Sequence, residues 1–268
     1  MNLTDKIVIY FGGFGGIGQK CISELLKKQL KSLAIFDLAE NDEILAEWQK
    51  LFPSTEIYHQ KVNIMQKSDI EAAYKMASQR LEYFDLIING SGCLNDQLIN
   101  STIEINLLGV IHSTLIALDY MSTSEGGRGG IIVNISSVVG LQPEPLYPIC
   151  AASKAAVTCF TRSLAAPFYL EHFGVSFVTI CPGLTETSLL DDMTSKTIFD
   201  FETPIHSIVS KIRRQTAEDC ARNLVKAIEN SKNGDVFMLE LGEISQVKIP
   251  DHWAKQLDDC LFLCSTIL

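Results

Sequence analysis

The chain is poor in features that mark metal, membrane or nucleic-acid proteins. Its eight cysteines (Cys21, Cys93, Cys150, Cys159, Cys181, Cys220, Cys260 and Cys264) include no Cys-x-x-Cys pair. A zinc site needs clustered Cys/His spacing, so no metal site is expected. Basic residues are scarce: 22 Lys+Arg against 32 Asp+Glu leave a net charge of −10. A phosphate backbone needs a basic face, so no nucleic-acid partner is expected. No apolar stretch reaches ~18 residues without a charge or a glycine, and residues 1–6 are polar, so neither a membrane span nor a signal segment is expected. Together these absences predict a cytoplasmic protein. Reduced cysteines such as Cys159 and Cys181, set in apolar runs, are expected to act as small core hydrophobes.

What is present is an alternation of strand and helix patterns. Residues 7–11 form a continuous apolar run ending in Gly12-Gly13, which reads as a buried parallel strand. Further strands are expected at 33–36, 56–62, 86–88, 131–135, 175–180 and 236–239. Helical spacing covers 18–30, 42–51, 69–81, 103–121, the stretch after Cys150, and 216–229. The fold expected is α/β: a doubly wound (Rossmann-type), mostly parallel seven-stranded sheet with helices on both faces, in one domain over 1–268. Residues 184–215, irregular and following a strand, read as a substrate-side flap. Residues 245–268 read as a C-terminal tail.

Between the first strand and the first helix lies Gly13-Phe14-Gly15-Gly16-Ile17-Gly18, a G-x-G-x-x-G in strand-turn-helix context. Glycines there let backbone N–H groups approach a pyrophosphate seated on a helix N-terminus. Asp37 ends the second strand, where a carboxylate accepts the ribose hydroxyls of NAD and repels the extra phosphate of NADP. NAD is therefore the expected cofactor, preferred over NADP.

The chain resembles the short-chain dehydrogenases/reductases over about residues 5–240, nearest to the insect alcohol dehydrogenase and hydroxyprostaglandin dehydrogenase branches. The family's Gly-x-x-x-Gly-x-Gly falls on Gly12, Gly16 and Gly18, its Asn-Asn-Ala-Gly on Asn89-Gly90-Ser91-Gly92, and its Pro-Gly-x-x-x-Thr on Pro182, Gly183 and Thr187. The resemblance implies a cofactor site of Gly12, Gly13, Gly15, Gly16, Ile17, Gly18, Asp37, Val62, Asn89, Gly90, Lys154, Pro182, Gly183 and Thr187. It implies catalytic roles for Ser137, which orients the substrate oxygen, for Lys154, which holds the nicotinamide ribose, and for Asn106, which supports a water relay. It also implies a homodimer or a tetramer.

Two positions depart from the family. Its Tyr-x-x-x-Lys reads Cys150-Ala151-Ala152-Ser153-Lys154, and the Asp-Val after its third strand reads Lys61-Val62. The missing tyrosine is the group that moves the proton, a step worth typically ~10²–10⁴-fold. A thiol is shorter and a weak hydrogen-bond donor. Cys150 is either an inert small residue or a thiolate promoted by the nearby Lys154 ammonium. Tyr147, placed in the loop by Pro148, is a possible substitute acid. Two functions are therefore expected as alternatives: an NAD-dependent oxidoreductase for an apolar alcohol or ketone with impaired or rerouted proton transfer, or a pseudoenzyme binding a small apolar ligand, NAD or a protein partner. Leu189, Leu190, Ile198 and Phe199 in the flap favour an apolar ligand.

Overall fold

The computed structural model describes residues 1–199 and 211–250. β1 (Ile7–Phe11) is buried along its whole length, and alternation sends its side chains to opposite faces. Val8 and Tyr10 pack with Cys21, Ile22 and Leu25 of α1 (Gly16–Leu26) and with Leu224 and Ile228 of α8 (Ala217–Asn230). Ile7, Ile9 and Phe11 pack on the other side with Ile70 and Tyr74 of α3 (Lys67–Arg80). A strand covered on both faces must be apolar at every position, which is why β1 shows no alternation in sequence. Each such side chain removed from water contributes about 1.5–3 kcal/mol.

β2 (Ser32–Asp37), α2 (Asp42–Leu51), β3 (Glu56–Lys61) and β4 (Leu86–Asn89) complete the first half. β5 (Gly130–Ile135), α6 (Pro148–Leu164), α7 (Pro167–Phe173), β6 (Val175–Pro182), β7 (Val236–Glu240) and β8 (Glu243–Gln246) form the second. The sheet order is β3-β2-β1-β4-β5-β6-β7-β8, parallel except for β8. The order reverses between β1 and β4, so a crevice opens beyond their C-terminal ends, where α/β sheets of this kind hold ligands.

The doubly wound, mostly parallel sheet is thus present, with one strand more than the seven read from the sequence. β8 returns from β7 through a two-residue turn in which Leu241 (φ 51) and Gly242 (φ 84) are both left-handed. Two positive φ angles match the twist of a hairpin, but a leucine at the first gives no turn signal. Residues 245 and 246 of the expected tail belong to this strand; 251–268 lie outside the described residues, as do 200–210 of the flap. α7 was also not anticipated: it is seven residues long, starts at Pro167 and ends on left-handed Gly174.

One long helix corrects the reading of residues 99–121. α4 (Ile99–Ile103) runs through a π segment (Glu104–Leu108) into α5 (Gly109–Met121), and neither Glu104 nor Gly109 interrupts it. At 23 residues with a mean hydropathy of 1.4, it is long and apolar enough to cross a membrane by length and composition. Its buried face, however, carries Asn106, Ser113 and Thr114, all bonded within the fold. That is the packing of a core helix in a doubly wound sheet.

Candidate active site

The glycine turn is built by close approach. Gly12 is left-handed (φ 80), and its N–H donates to the Phe36 carbonyl at 2.8 Å, joining the end of β1 to β2. A Cβ on Gly18 would lie 2.3 Å from the Gly12 carbonyl oxygen, so α1 starts against the turn only because residue 18 has no side chain. A Cβ on Gly13 would strike Ile22 and Ile35 at 2.6 and 2.7 Å, whereas Gly15 meets only the Gly12 oxygen at 3.3 Å and faces open space. Gly16 touches Thr187, whose Cγ2 is 2.5 Å from its virtual Cβ. Two expected cofactor residues, one at each end of the chain, are thereby brought together. Ile17 packs back on the core.

Asp37 stands beside this turn. Its carboxylate accepts the Phe14 N–H at 2.8 Å and the Ala39 N–H at 2.9 Å. It ties the glycine turn to the end of β2 and keeps lone pairs free for another donor. Lys61 is drawn to the surface by Glu40, at 3.0 Å. Val62 is buried, and its N–H donates to the Asp37 carbonyl, so neither its side chain nor its N–H faces the crevice. The Asn89 side chain is likewise turned inward. Fully buried, it donates to Thr114 Oγ1 and Asn134 Oδ1 and accepts from Ser113 Oγ at 2.6 Å. Asn134 continues to Thr161 at 2.9 Å. This is a closed polar ladder along β4 and β5, and its side chains hold the strand ends in register. Gly90 sits above it, its N–H on the Phe11 carbonyl.

The reaction centre draws on four elements. Asn106 lies in the π segment, where the widened turn frees its side chain. Its Oδ1 accepts the Cys93 N–H at 2.8 Å, and its Nδ2 donates to the Cys93 carbonyl at 3.0 Å and to Ser153 Oγ at 3.2 Å. Lys154 is buried in α6, its Nζ donating to the Ile135 carbonyl at 2.9 Å. A Cβ on Gly92 would lie 3.5 Å from both Asn106 Oδ1 and Lys154 Nζ, so these two groups flank the loop after β4. Ser137, just past β5, donates from Oγ to the Pro182 carbonyl at 3.3 Å, linking the ends of β5 and β6. Gly183 bonds through its N–H to Leu239.

Residues 6–197 match the family model described as short chain dehydrogenase. The chain belongs to the short-chain dehydrogenase family. It is 38% identical over 253 residues to alcohol dehydrogenase 1 of Ceratitis capitata, covering 94% of this chain and 98% of that one. It is 34% identical over 256 residues to the alcohol dehydrogenase-related 31 kDa protein of Drosophila melanogaster, covering 94% and 92%. The fold is shared with the crystal structure of levodione reductase: TM-score 0.75 at 22% identity, covering 90% of this chain and 98% of that one. The family is one of oxidoreductases that use nicotinamide dinucleotides.

Against the family pattern, position 150 is the point of interest. The Cys150 thiol is buried, 3.9 Å from Asn106 Nδ2 and 4.0 Å from the Cys93 carbonyl oxygen. Burial pushes it up to about 11, and the opposing pull of Lys154 does not compensate. At pH 7 the thiol is in its neutral form. The expectation that Lys154 promotes a thiolate is therefore corrected: desolvation outweighs the ammonium. Burial also lowers Lys154, while Cys150 raises it.

Tyr147 is corrected as a substitute acid. It precedes α6, as Pro148 dictates, but its hydroxyl donates to the Met193 carbonyl at 2.8 Å. Burial pushes it up to about 12. It packs in an apolar cluster with Cys150 and Met193, against which Leu94, Leu184 and Leu190 lie. Of the flap residues expected near a ligand, Leu190 packs on this cluster, whereas Leu189 and Phe199 are exposed. Cys159, expected in the core, is exposed on α6; Cys181 is buried. The residue that sequence reasoning missed is Asp96, fully buried beneath the first turn of α6. An acidic residue in a polar loop carries no sequence signal for a contact more than fifty positions away.

Proposed function

We propose that the protein is an NAD-dependent oxidoreductase that takes a small apolar alcohol or ketone and moves hydride with impaired proton transfer. The observation that carries this reading is Lys154. A buried ammonium has three donors, and among the described residues only the Ile135 carbonyl accepts one. It flanks Gly92 with Asn106, in the loop after β4 whose Ser91 lies against Gly12 of the glycine turn, and ribose hydroxyls bound there would supply the acceptors it needs. The cradle at Gly12, Gly15, Gly16 and Gly18 suits a pyrophosphate, and Asp37 suits the adenosine ribose. Bound NAD supplies the hydride acceptor in oxidation and the hydride donor in reduction. Ser137 orients the substrate oxygen, and Leu94, Leu184, Leu190 and Met193 exclude water. No side chain at position 150 takes the alcohol proton at neutral pH, so solvent does.

The test is purified protein with NAD and a series of apolar secondary alcohols. Slow NADH formation is expected, rising roughly tenfold per pH unit below pH ~10, as hydroxide takes the proton that a positioned base would take. No reduction at any pH would leave the second reading, a pseudoenzyme that binds an apolar ligand, which the raised thiol and phenol favour. Cofactor choice is tested separately. Asp37→Asn keeps an oxygen for the Phe14 N–H but removes the charge, and is expected to move the NADP/NAD affinity ratio roughly 10²-fold towards NADP. An unchanged ratio by calorimetry would remove Asp37 from the cofactor site.

The reading includes a homodimer: Leu108 and Leu115 lie exposed along the π segment and α5, and sedimentation at micromolar concentration tests it. It also includes a cytoplasmic setting, in keeping with free thiols at Cys21, Cys93, Cys150, Cys159, Cys181 and Cys220.

A further inference from the structure

Asp96 occupies the loop after β4 and is fully buried, with no Lys or Arg paired to it among the described residues. Both carboxylate oxygens are used. Oδ2 accepts the Ile149 N–H at 2.7 Å, and Oδ1 accepts the Cys150 N–H at 2.9 Å. These are first-turn donors of α6, which have no partner within the helix. Tyr147, the residue before the helix, offers no side-chain cap. A carboxylate at this end is favoured by the helix dipole and by charge-assisted hydrogen bonds. It acts as a cap delivered from a distant loop.

The same residue also reaches the flap. The Asp96 N–H donates to the Lys196 carbonyl at 2.9 Å. Next to it, Gln97 Nε2 donates to the Thr197 carbonyl at 3.3 Å, and Tyr147 donates to Met193. The turn Met193–Lys196 is thus pinned at its first residue to the start of α6, and at its last residue and the following Thr197 to the 96–97 loop. The loop itself is braced: Thr102 Oγ1 donates to the Asn95 carbonyl at 2.7 Å, and the Gln97 N–H donates to Asn95 Oδ1 at 3.1 Å.

We propose that Asp96 is a positioning residue for the reaction face: its carboxylate fixes the turn of α6 that carries Cys150, and its N–H ties that turn to the 193–197 segment, so that the placement of 193–197 and the geometry at position 150 form one unit. Its charge has a second effect. The titratable groups around the Cys150 thiol are Lys154 on α6, Asp96 and Cys93 on the loop after β4, and Tyr147 before the helix. Asp96 opposes ionisation of Cys150, Cys93 and Tyr147 alike. Burial is what chiefly keeps the cleft's acids protonated, and the group that positions the helix adds to it.

The test uses the full chain carrying Asp96→Asn or Asp96→Ala, with iodoacetamide labelling of Cys150 mapped by mass spectrometry. Exposed Cys159 on the same helix is the internal reference. Asp96→Asn keeps the shape and removes the charge, so the pH midpoint for Cys150 labelling is expected to fall by about one unit. A purely structural role would leave that midpoint in place. Asp96→Ala also frees the flap, and labelling of Cys150 is expected to rise about tenfold at every pH while Cys159 is unchanged. If Asp96→Ala does not fold, Asp96→Asn alone decides. Unchanged Cys150 labelling in the folded variants overturns the proposal. A kinetic arm rests on the functional reading above. In a Cys150→Tyr background, Asp96→Asn is expected to lower kcat/KM for the alcohol about tenfold and leave the NAD Kd unchanged; an unchanged kcat/KM in an active background counts against the proposal. Absence of turnover in that background defeats the functional reading, while labelling still decides the role of Asp96.

Discussion

Cys150→Tyr is expected to raise the rate of NAD reduction by ~10²–10⁴-fold, the range that positioned general acid-base groups supply. Residues 150 and 154 lie one helical turn apart and so share a face of α6. A phenol there would meet the Lys154 ammonium, which favours its ionised form. The thiol it replaces stays short of the cleft, next to Asn106 and the Cys93 carbonyl. The pH profile should change in kind, from a steady rise to a plateau once a side chain takes the proton. The added ring enters a packed site, where overfilling costs about 1–3 kcal/mol, so Tm is measured alongside. A folded variant with no gain in rate would mean that the pocket around position 150 has been rebuilt for binding.

Gly18→Ala carries the second large effect, on cofactor binding. Its Cβ would stand 2.3 Å from the Gly12 oxygen and 2.9 Å from the Gly13 oxygen. Both are backbone atoms, and neither can rotate away. The N-terminus of α1 must therefore withdraw from the turn, taking with it the N–H groups that face a pyrophosphate. NAD affinity is expected to fall at least ~10²-fold, with a stability loss of about 1–3 kcal/mol. Calorimetric titration with NAD and thermal unfolding measure the two effects separately. A variant that binds NAD as tightly as the parent would remove this turn from the cofactor site. At Gly15, by contrast, an added methyl meets only the Gly12 oxygen, at 3.3 Å, so Gly15→Ala should cost less stability than Gly18→Ala.

What the sequence reveals and what it hides divide along physical lines. β1 and β5 are legible because a strand buried on both faces must be apolar throughout, and the glycine turn is legible because close approach admits no other residue. Ser137, Lys154 and Asn106 follow from the resemblance, because the family's motifs fall on those positions. The Asn89 motif marks a position and not a direction; only the fold shows its amide turned into the ladder with Ser113 and Asn134. β8 hides behind a leucine in a left-handed turn, and Asp96 behind a contact made across the fold. The state of Cys150 is hidden for another reason. Sequence places a cation one turn away, but whether that cation or desolvation wins depends on burial, which is a property of the folded chain.

The π segment at Glu104–Leu108 has a geometric meaning of its own. An α-helix advances about 100° per residue, so one extra residue in a turn is an angular slip between the helix before it and the helix after it. Asn106 occupies that slip and points at Cys93 and Ser153 in the cleft. Ser113 and Thr114, beyond it, point at Asn89 and Asn134 beneath the sheet. A single unbroken rod thus keeps two phases, one aimed at the ligand side and one at the scaffold. Loss of one residue between them would leave the scaffold phase intact and rotate the cleft phase out of alignment.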